Sequence, residues 1–372
     1  MKKMVQLPPL ERYPIVPPRA RRCPRCGSSH VHGHGWRKRR IRDWEEKQVL
    51  LRRFRCADCG ATWTAYPQGV SPGSRFSLRA EQFMVLLYLL GLSYRKTAAV
   101  MAGLGIPVGA SSVLRFVQAQ GLREELEARR QYWRGKARVK VIGIDGTGVP
   151  MAGNPKDTGV VVVVDGESGV GLWVEAVNEQ NTTALSQLLA WVLARVKPDE
   201  VISDEGSAYP QALQEASEQS EHLPAHRLCA AHFRRNKIGR LRQLQRQAQQ
   251  KGWGLMVMEL RAMEALLRSP PEVWGYFAQR LLRMMQRARP PGKGEKRSWA
   301  YRYRQLLLEL SEKAPQVTGV TNNRTEQLIG RAFKVRIGSM RGFKREDNRM
   351  RFLQLALAVD RRAQREGLLY LI

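Results

Sequence analysis

Three acidic residues far apart in the chain stand where a carboxylate could bind a cation. They are Asp145 in V-K-V-I-G-I-D-G-T-G (139–148), Asp204 in E-V-I-S-D-E-G-S (200–207) and Glu326 in T-N-N-R-T-E (321–326). Both aspartates close a short, β-branched apolar run, so each is expected at the end of a strand. A carboxylate there is costly unless it meets a cation or hydrogen-bond donors. Gathered by folding, such hard oxygens suit Mg²⁺ or Mn²⁺. Each acid also has an ordinary reading. Asp145 can start the turn at Gly146, and Asn323 with Glu326 can form a capping box at a helix start. Glu205 stands beside Asp204 as a rival, and strand alternation favours Asp204.

A second set of chemistry-bearing residues is Cys23-Pro-Arg-Cys26 and Cys56-Ala-Asp-Cys59, each followed by glycine and separated by 29 residues. Two C-x-x-C turns can deliver four thiolates to one tetrahedral zinc, with a hairpin in the spacer. Such a site is structural, because four protein ligands leave no position for a substrate. A redox or free-thiol role is the other reading. His30, His32 and His34 can compete as ligands and are expected in an exposed loop after the first pair. Cys229 and His232 form a further C-x-x-H, too few ligands for a metal alone and expected to support a site or the fold.

Charge narrows the function classes. The chain of 372 residues carries 63 Lys and Arg against 33 acids, a net charge of +30. That excess calls for a polyanion, and nucleic acid fits best. Residues 1–80 hold 18 basic against 5 acidic residues, and 230–315 hold 19 against 6, whereas 139–229 reverse the balance with 5 against 13. An acidic, cation-binding centre between phosphate-gripping surfaces has this pattern; so do solvated acidic loops. The longest apolar run, Phe83–Leu92, is about half a membrane-spanning length. The first 22 residues lack the apolar core of a signal peptide. No membrane partner is expected, and the cysteine usage points to a reducing cytoplasm, with the protein on the nucleoid.

The elements that must position these residues follow from periodicity and breakers. Leu78–Leu90 reads as a helix ended by Gly91. Ser93 caps a second helix that stops at Gly103 and Gly105. Ser111 caps a third that Gly121 closes, and Arg123–Lys140 follows as a charged connecting helix. The first three helices resemble a helix-turn-helix with Ala110–Gln120 as recognition helix, or equally an ordinary bundle. Arg95, Lys96 and Arg115 are its candidate DNA contacts. Then come strands at Val139–Ile144, Gly159–Val164 and Val170–Ala176, expected as a meander. A helix at Thr182–Arg195, a strand at Glu200–Asp204, a helix at Tyr209–Glu218 and a strand at His226–Cys229 complete the order βββαβαβ. From Phe233 to about Ala314 the chain turns helical and basic. Its tryptophans Trp253, Trp274 and Trp299 are core residues in the ordinary reading, or platforms for an unpaired base. Arg331, Lys334, Arg336, Arg341, Lys344 and Arg345 form a basic run, either a solvated face or a DNA-backbone contact.

That order resembles a ribonuclease-H-like fold, in which the Val139 and Glu200 strands are neighbours. I-D-G-T followed by I-S-D-E-G-S-A-Y resembles the DDE transposases, above all the Mutator-like group and its bacterial insertion-sequence relatives. Cys229-Ala-Ala-His232, 25 residues past Asp204, is similar to their C-x-x-H, and T-N-N-R-T-E to the approach to their third acid. The resemblance covers about residues 139–360. It implies an α/β protein: a ribonuclease-H-like mixed-sheet catalytic core with an all-helical insertion, preceded by a zinc ribbon and a helix-turn-helix. The expected segments are 1–74 (zinc ribbon), 75–135 (helix-turn-helix), 136–232 (core, first part), 233–315 (insertion) and 316–372 (core, last part).

The resemblance further implies a DNA transposase that cuts element ends and joins a 3′-hydroxyl to target DNA. Asp145, Asp204 and Glu326 would bind two Mg²⁺, with Cys229 and His232 in support. One zinc would sit on Cys23, Cys26, Cys56 and Cys59. The implied partners are terminal inverted repeats, target DNA and at least a second copy of the chain. Arg331, Lys334 and Arg341 would contact DNA near the third acid. A nuclease or recombinase that does not join ends, and a DNA-binding regulator with an inert core, are the competing expectations.

Overall fold

A computed structural model describes residues 22–365 except 46, 68, 131–138, 153–158, 207, 288–293, 319–321 and 339–341. Two compact units divide the chain: Met1–Arg129 with Arg331–Ile372, and Arg130–Gly330. The expected last part of the core, 316–372, is therefore split after Gly330.

In the first unit, β1 (Val31–Arg40), β2 (Gln48–Cys56) and β3 (Thr62–Ala65) form an antiparallel sheet in that order, with the cysteine pairs at one end of the β1–β2 hairpin. His32 and His34 lie within β1 and not in a loop. Three helices follow: α1 (Leu78–Leu89), α2 (Tyr94–Gly103) and α3 (Ala110–Arg130). Ser77 and Ser93 cap the first two through their side-chain oxygens; the Ser93 cap is the expected one, and the Ser77 cap was not anticipated. The sheet is tied to α1 by Asp43, which is 1% exposed and accepts from Ser77 Oγ and Arg79 Nε, the latter at 2.7 Å.

The third helix departs from expectation. Ser111 lies inside it, and Gly121 does not end it, since α3 continues to Arg130. Gly121 is there for closeness: a Cβ would sit 2.7 Å from the Arg351 carbonyl oxygen and 2.8 Å from its Cβ. Arg351 belongs to the long helix Glu346–Arg365, whose Phe352 also meets Tyr88 of α1 edge-on at 6.3 Å. Residues after Arg331 therefore pack on the amino-terminal helices.

The second unit is mixed α/β. Six strands run in the order β6-β5-β4-β7-β8-β9, where β4 is Val141–Gly148, β5 Gly159–Asp165, β6 Gly171–Glu175, β7 Glu200–Ser203, β8 Ala225–Cys229 and β9 Val317–Thr318. Strands β4, β5 and β6 form the expected antiparallel meander; β7 joins β4 in parallel, then β8 and β9 add in parallel. The two-residue β9 has no counterpart in the sequence reading. The five valines of β5 are fully buried, as a strand covered on both faces requires. Helices α4 (Thr182–Val196) and α5 (Ala208–Ser220) connect the strands. Between β8 and β9, helices α6 (Ala230–Gln250), α7 (Gly254–Leu266), α8 (Trp274–Arg287) and α9 (Glu295–Lys313) build their own core. Trp274 and Trp299 are buried in it and Trp253 packs against it, which removes the base-stacking role for the tryptophans. No helix of the described residues is long and apolar enough to cross a membrane.

Two glycine substitutions separate propensity from packing. Gly239→Ala, in α6 with nothing near its missing Cβ, should stabilise the protein by about 0.5–1 kcal/mol. Gly121→Ala should instead cost about 1–3 kcal/mol through the clash with Arg351. Denaturant midpoints of the two variants test the pair; equal gains would remove the close approach.

Candidate metal centres

The V-I-G-I-D-G stretch is strand β4, and Asp145 lies inside it, paired with Val162 of β5, not at its end. The parallel pairing with β7 stops at Gly143 and Ile202. Asp145 and Asp204 are thus each two residues past the last pair, where the sheet opens and their side chains leave the ladder. Asp204 follows β7 directly and accepts the Gly206 N–H at 2.9 Å. Glu205 turns elsewhere, to the buried Lys237 at 2.8 Å, and Asp204 is not in the ligand-atom group of Asp145, His232 and Glu326.

Glu326 arrives on a short helix, α10 (Asn323–Leu328), capped at Asn322 without a side-chain cap bond. The capping-box reading fails, because the Glu326 carboxylate reaches His232 Nε2 at 2.9 Å and Arg235 at 3.3 Å. Asn322 seats the helix instead. Its side-chain amide donates to the Ile144 carbonyl at 2.7 Å, and its backbone N–H donates to Cys229 Sγ at 3.1 Å. Gly143 leaves the space for this: a Cβ there would lie 2.4 Å from Asn322 Oδ1 and 2.7 Å from Thr325 Oγ1. The C-x-x-H therefore grips the Glu326 helix twice, Cys229 at its start and His232 at its acid.

Asp145, His232 and Glu326 each offer a ligand atom, all within 4.8 Å of one another. Burial, then the charges of Asp204, Glu179 and Glu326, push the Asp145 carboxyl up to about 6, against the opposing pull of His232. The Cys229 side chain first, then the charges of Asp145 and Glu326, raise His232 to about 9 against burial. Its Nδ1 is buried and has no hydrogen-bond partner among the described residues. This group could hold a divalent cation, with the imidazole as a ligand only in its neutral form and with Nε2 released from Glu326.

Glu179 was missed by the sequence reading. It lies in the loop before α4, accepts from Tyr209 Oη at 3.3 Å, and presses on Gly146, where a Cβ would be 2.0 Å from Oε2. Burial and the charge of Asp204 raise its carboxyl. In sequence it is one polar residue of N-E-Q-N ahead of a capped helix, and the only signal is the small residue at 146.

The four cysteines form the other centre. Cys23 Sγ lies 3.6 Å from Cys59 Sγ, and Cys26 Sγ 3.6 Å from Cys56 Sγ. The edge of a ZnS₄ tetrahedron is about 3.8 Å for a Zn–S bond of 2.3 Å. Both turns repeat one geometry, with Gly27 N–H on Cys23 O and Gly60 N–H on Cys56 O, and both glycines at positive φ. The backbone N–H of Cys26 first, with other donors, lowers Cys23 to about 7. Cys26 goes the other way, to about 12: the Ser28 backbone N–H favours its thiolate, but Cys59, Cys23 and Cys56 crowd it. This cluster could hold a structural zinc, and His30 pairs with Asp58 outside it.

The expected DNA contacts have different fates. Arg95, Lys96, Arg115 and Lys334 are exposed. Arg331 is held by Asp360 through two hydrogen bonds, at 2.6 and 3.1 Å. Arg336 is buried, donating to Leu92 O and lying over the Tyr88 ring. These two tie the unit together and are not open to phosphate. Arg341 lies outside the described residues.

Residues 23–86 match a family described as a domain of unknown function, DUF6431. No curated protein matches the chain.

Stability reports both centres. The folded Asp145 binds its proton more tightly than the unfolded one. Its ionisation therefore destabilises the metal-free fold as pH rises from about 4 through 6. In chelator at pH 7.5, Asp145→Asn should melt higher than the wild type. Mn²⁺ should raise the wild-type melting temperature and leave the variant unmoved; a variant that gains equally would remove Asp145 from the site. Purified protein should carry about one zinc per chain, and Cys56→Ser should lose it together with the amino-terminal melting transition.

Proposed function

We propose that this chain is a metal-dependent DNA strand-cleaving and strand-joining enzyme, a transposase of the DDE type on a ribonuclease-H-like core. The observation that carries the reading is the meeting of Asp145, Glu326 and His232 within ligand distance, with Asp204 acting electrostatically on the same carboxyl. These residues come from β4, α10, the start of α6 and the end of β7, so only the folded sheet assembles them. A central first strand, flanked by an antiparallel meander on one side and parallel strands on the other, is the arrangement such a core would have. The net charge of +30 supports a polyanionic substrate.

Two divalent cations on this site would supply the charge that activates the attacking oxygen and steadies the leaving one. The chain's own residues do the rest. Asp145 would supply an oxygen ligand fixed by the sheet, and Asp204, which is not in the group within 4.8 Å, bears on that carboxyl through its charge. His232 donates through Nε2 to Glu326 and holds its carboxylate toward the strand. Arg235, exposed and 3.3 Å from Glu326, is placed to meet a non-bridging phosphate oxygen. In cleavage a water oxygen bonds to phosphorus as the bond to the 3′ oxygen breaks, leaving a free 3′-hydroxyl. In joining, that 3′ oxygen bonds to a target phosphorus as the target's own P–O3′ bond breaks; the attacking hydroxyl's proton passes to solvent and the departing target 3′ oxygen takes one up. The catalytic step forms no covalent protein–DNA bond.

The test uses duplexes carrying the inverted repeats that flank the gene, with full-length protein and Mg²⁺ or Mn²⁺. Asp145→Asn, Asp204→Asn and Glu326→Gln should each lower cleavage about a thousandfold or more while binding stays within about twofold. Normal cleavage by Asp145→Asn would overturn the assignment. Cleavage without strand transfer would leave a nuclease.

A further inference from the structure

We propose that one face of the β1–β2 ribbon reads base sequence in the major groove of duplex DNA, which would give a role to the DUF6431 region. The inference rests on the proposal that the partner is DNA; it does not depend on the catalytic assignment.

Strand β1 is the sheet's edge, and β3 pairs only with Arg52–Arg55 of β2. From Arg37–Arg40 and Gln48–Leu51 onward the sheet is thus a two-stranded ribbon. A ribbon of that width enters a B-DNA major groove. The cross-strand pairs Trp36–Arg52, Lys38–Leu50 and Arg40–Gln48 point to one side. The intervening pairs, Arg37–Leu51 and Arg39–Val49, point to the other, where Val49 and Leu51 are buried with Ile41. Arg39 is engaged there by the Tyr66 ring and the Ser74 carbonyl. The back of the ribbon is therefore anchored and its front is open.

The front carries the chemistry of base recognition. Lys38 and Arg40 can donate to guanine O6 and N7, and Gln48 can pair with adenine N6 and N7. Leu50 and Trp36 are 38% and 55% exposed, an unfavourable exposure in water but suited to thymine methyl groups. Arg52 lies 5.2 Å from the Trp36 ring and 5.1 Å from the Phe54 ring, so its guanidinium is stacked and pre-oriented. Among the described residues neither Lys38 nor Arg40 forms an ion pair, so both are open to the groove; Arg37, whose pair with Leu51 faces the back, is also exposed, as are Arg53 and Arg55. At about 3.3 Å per residue, Trp36–Arg40 covers roughly four base pairs. The narrow, deep major groove of an RNA duplex excludes such a ribbon.

Selection from a random-core duplex library with full-length, zinc-loaded protein tests this. The wild type should enrich a motif, and the triple variant Lys38→Ala/Arg40→Ala/Gln48→Ala should lose preference over about four adjacent positions and bind the motif about tenfold or more weakly. Zinc content and melting temperature verify that the variant folds. A second measurement needs only the wild type: 7-deazapurines in the motif delete the major-groove N7 acceptor and should weaken binding by about tenfold. An unchanged motif in a zinc-loaded triple variant, no effect of 7-deazapurines, no motif for the wild type, or equal competition by duplex RNA would each overturn the inference. Protein that selects a motif but never cuts DNA leaves it standing and removes only the catalytic reading.

Discussion

Like charge confined in a half-buried space is the constraint around which the second unit is built. Asp204, Glu179 and Glu326 all act on Asp145 near the open end of β4 and β7, and Asp204 acts on Glu179. Carboxylates so placed repel and are desolvated, and among the described residues His232 and Arg235 both reach Glu326, at 2.9 and 3.3 Å. The sequence around Asp145 follows from this crowding. Gly143 and Gly146 flank it because the groups brought in, the Asn322–Thr325 turn on one side and Glu179 on the other, occupy the space a Cβ would take. A glycine pair around a strand aspartate is then a packing requirement imposed by the acids.

What was legible in the sequence was local. The meander, the β4–β7 adjacency, the serine cap of α2 and the paired cysteine knuckles each depend on residues within a few positions of one another or on strand order. What was not legible depended on approach between distant segments. Gly121 has the type and position of a helix terminator, and only Arg351, 230 residues later, gives its true reason. Arg331 and Arg336 read as a basic face because their partners, Asp360, Leu92 O and Tyr88, are remote or on the backbone. Glu179 was invisible for the same cause: its environment is made by Tyr209 and Asp204, not by its neighbours in sequence.

The amino-terminal match to DUF6431 spans the ribbon and most of α1, and the structure gives a reason for that extent. Asp43, nearly inaccessible, is an uncompensated charge unless Ser77 and Arg79 reach it. Both belong to the start of α1, and the interaction holds Arg79 more firmly protonated. Removing either partner of a buried pair costs several kcal/mol because the other is left unsolvated. The cysteine cluster closes one end of the hairpin and this clamp secures the segment that follows it. The two together make a ribbon without α1 an incomplete fold.

The helices between β8 and β9 are more than a spacer before Glu326. Their first member, α6, begins at Cys229 and carries His232, Arg235 and Lys237. Lys237 is 2% exposed, yet it sits 2.8 Å from both Glu205 and Glu309. Glu205 is the neighbour of Asp204 and Glu309 belongs to α9, so these ion pairs, joined by Arg240 on Glu309 and Lys313 on Glu205, couple the insertion's helices to the loop that follows β7. His232, five residues earlier on the same helix, does the corresponding work for the third acid. Deleting or reorienting the insertion would release Asp204 and Glu326 together while leaving β4 intact. Its helices are therefore part of the site's geometry, whatever further contacts their exposed basic faces make.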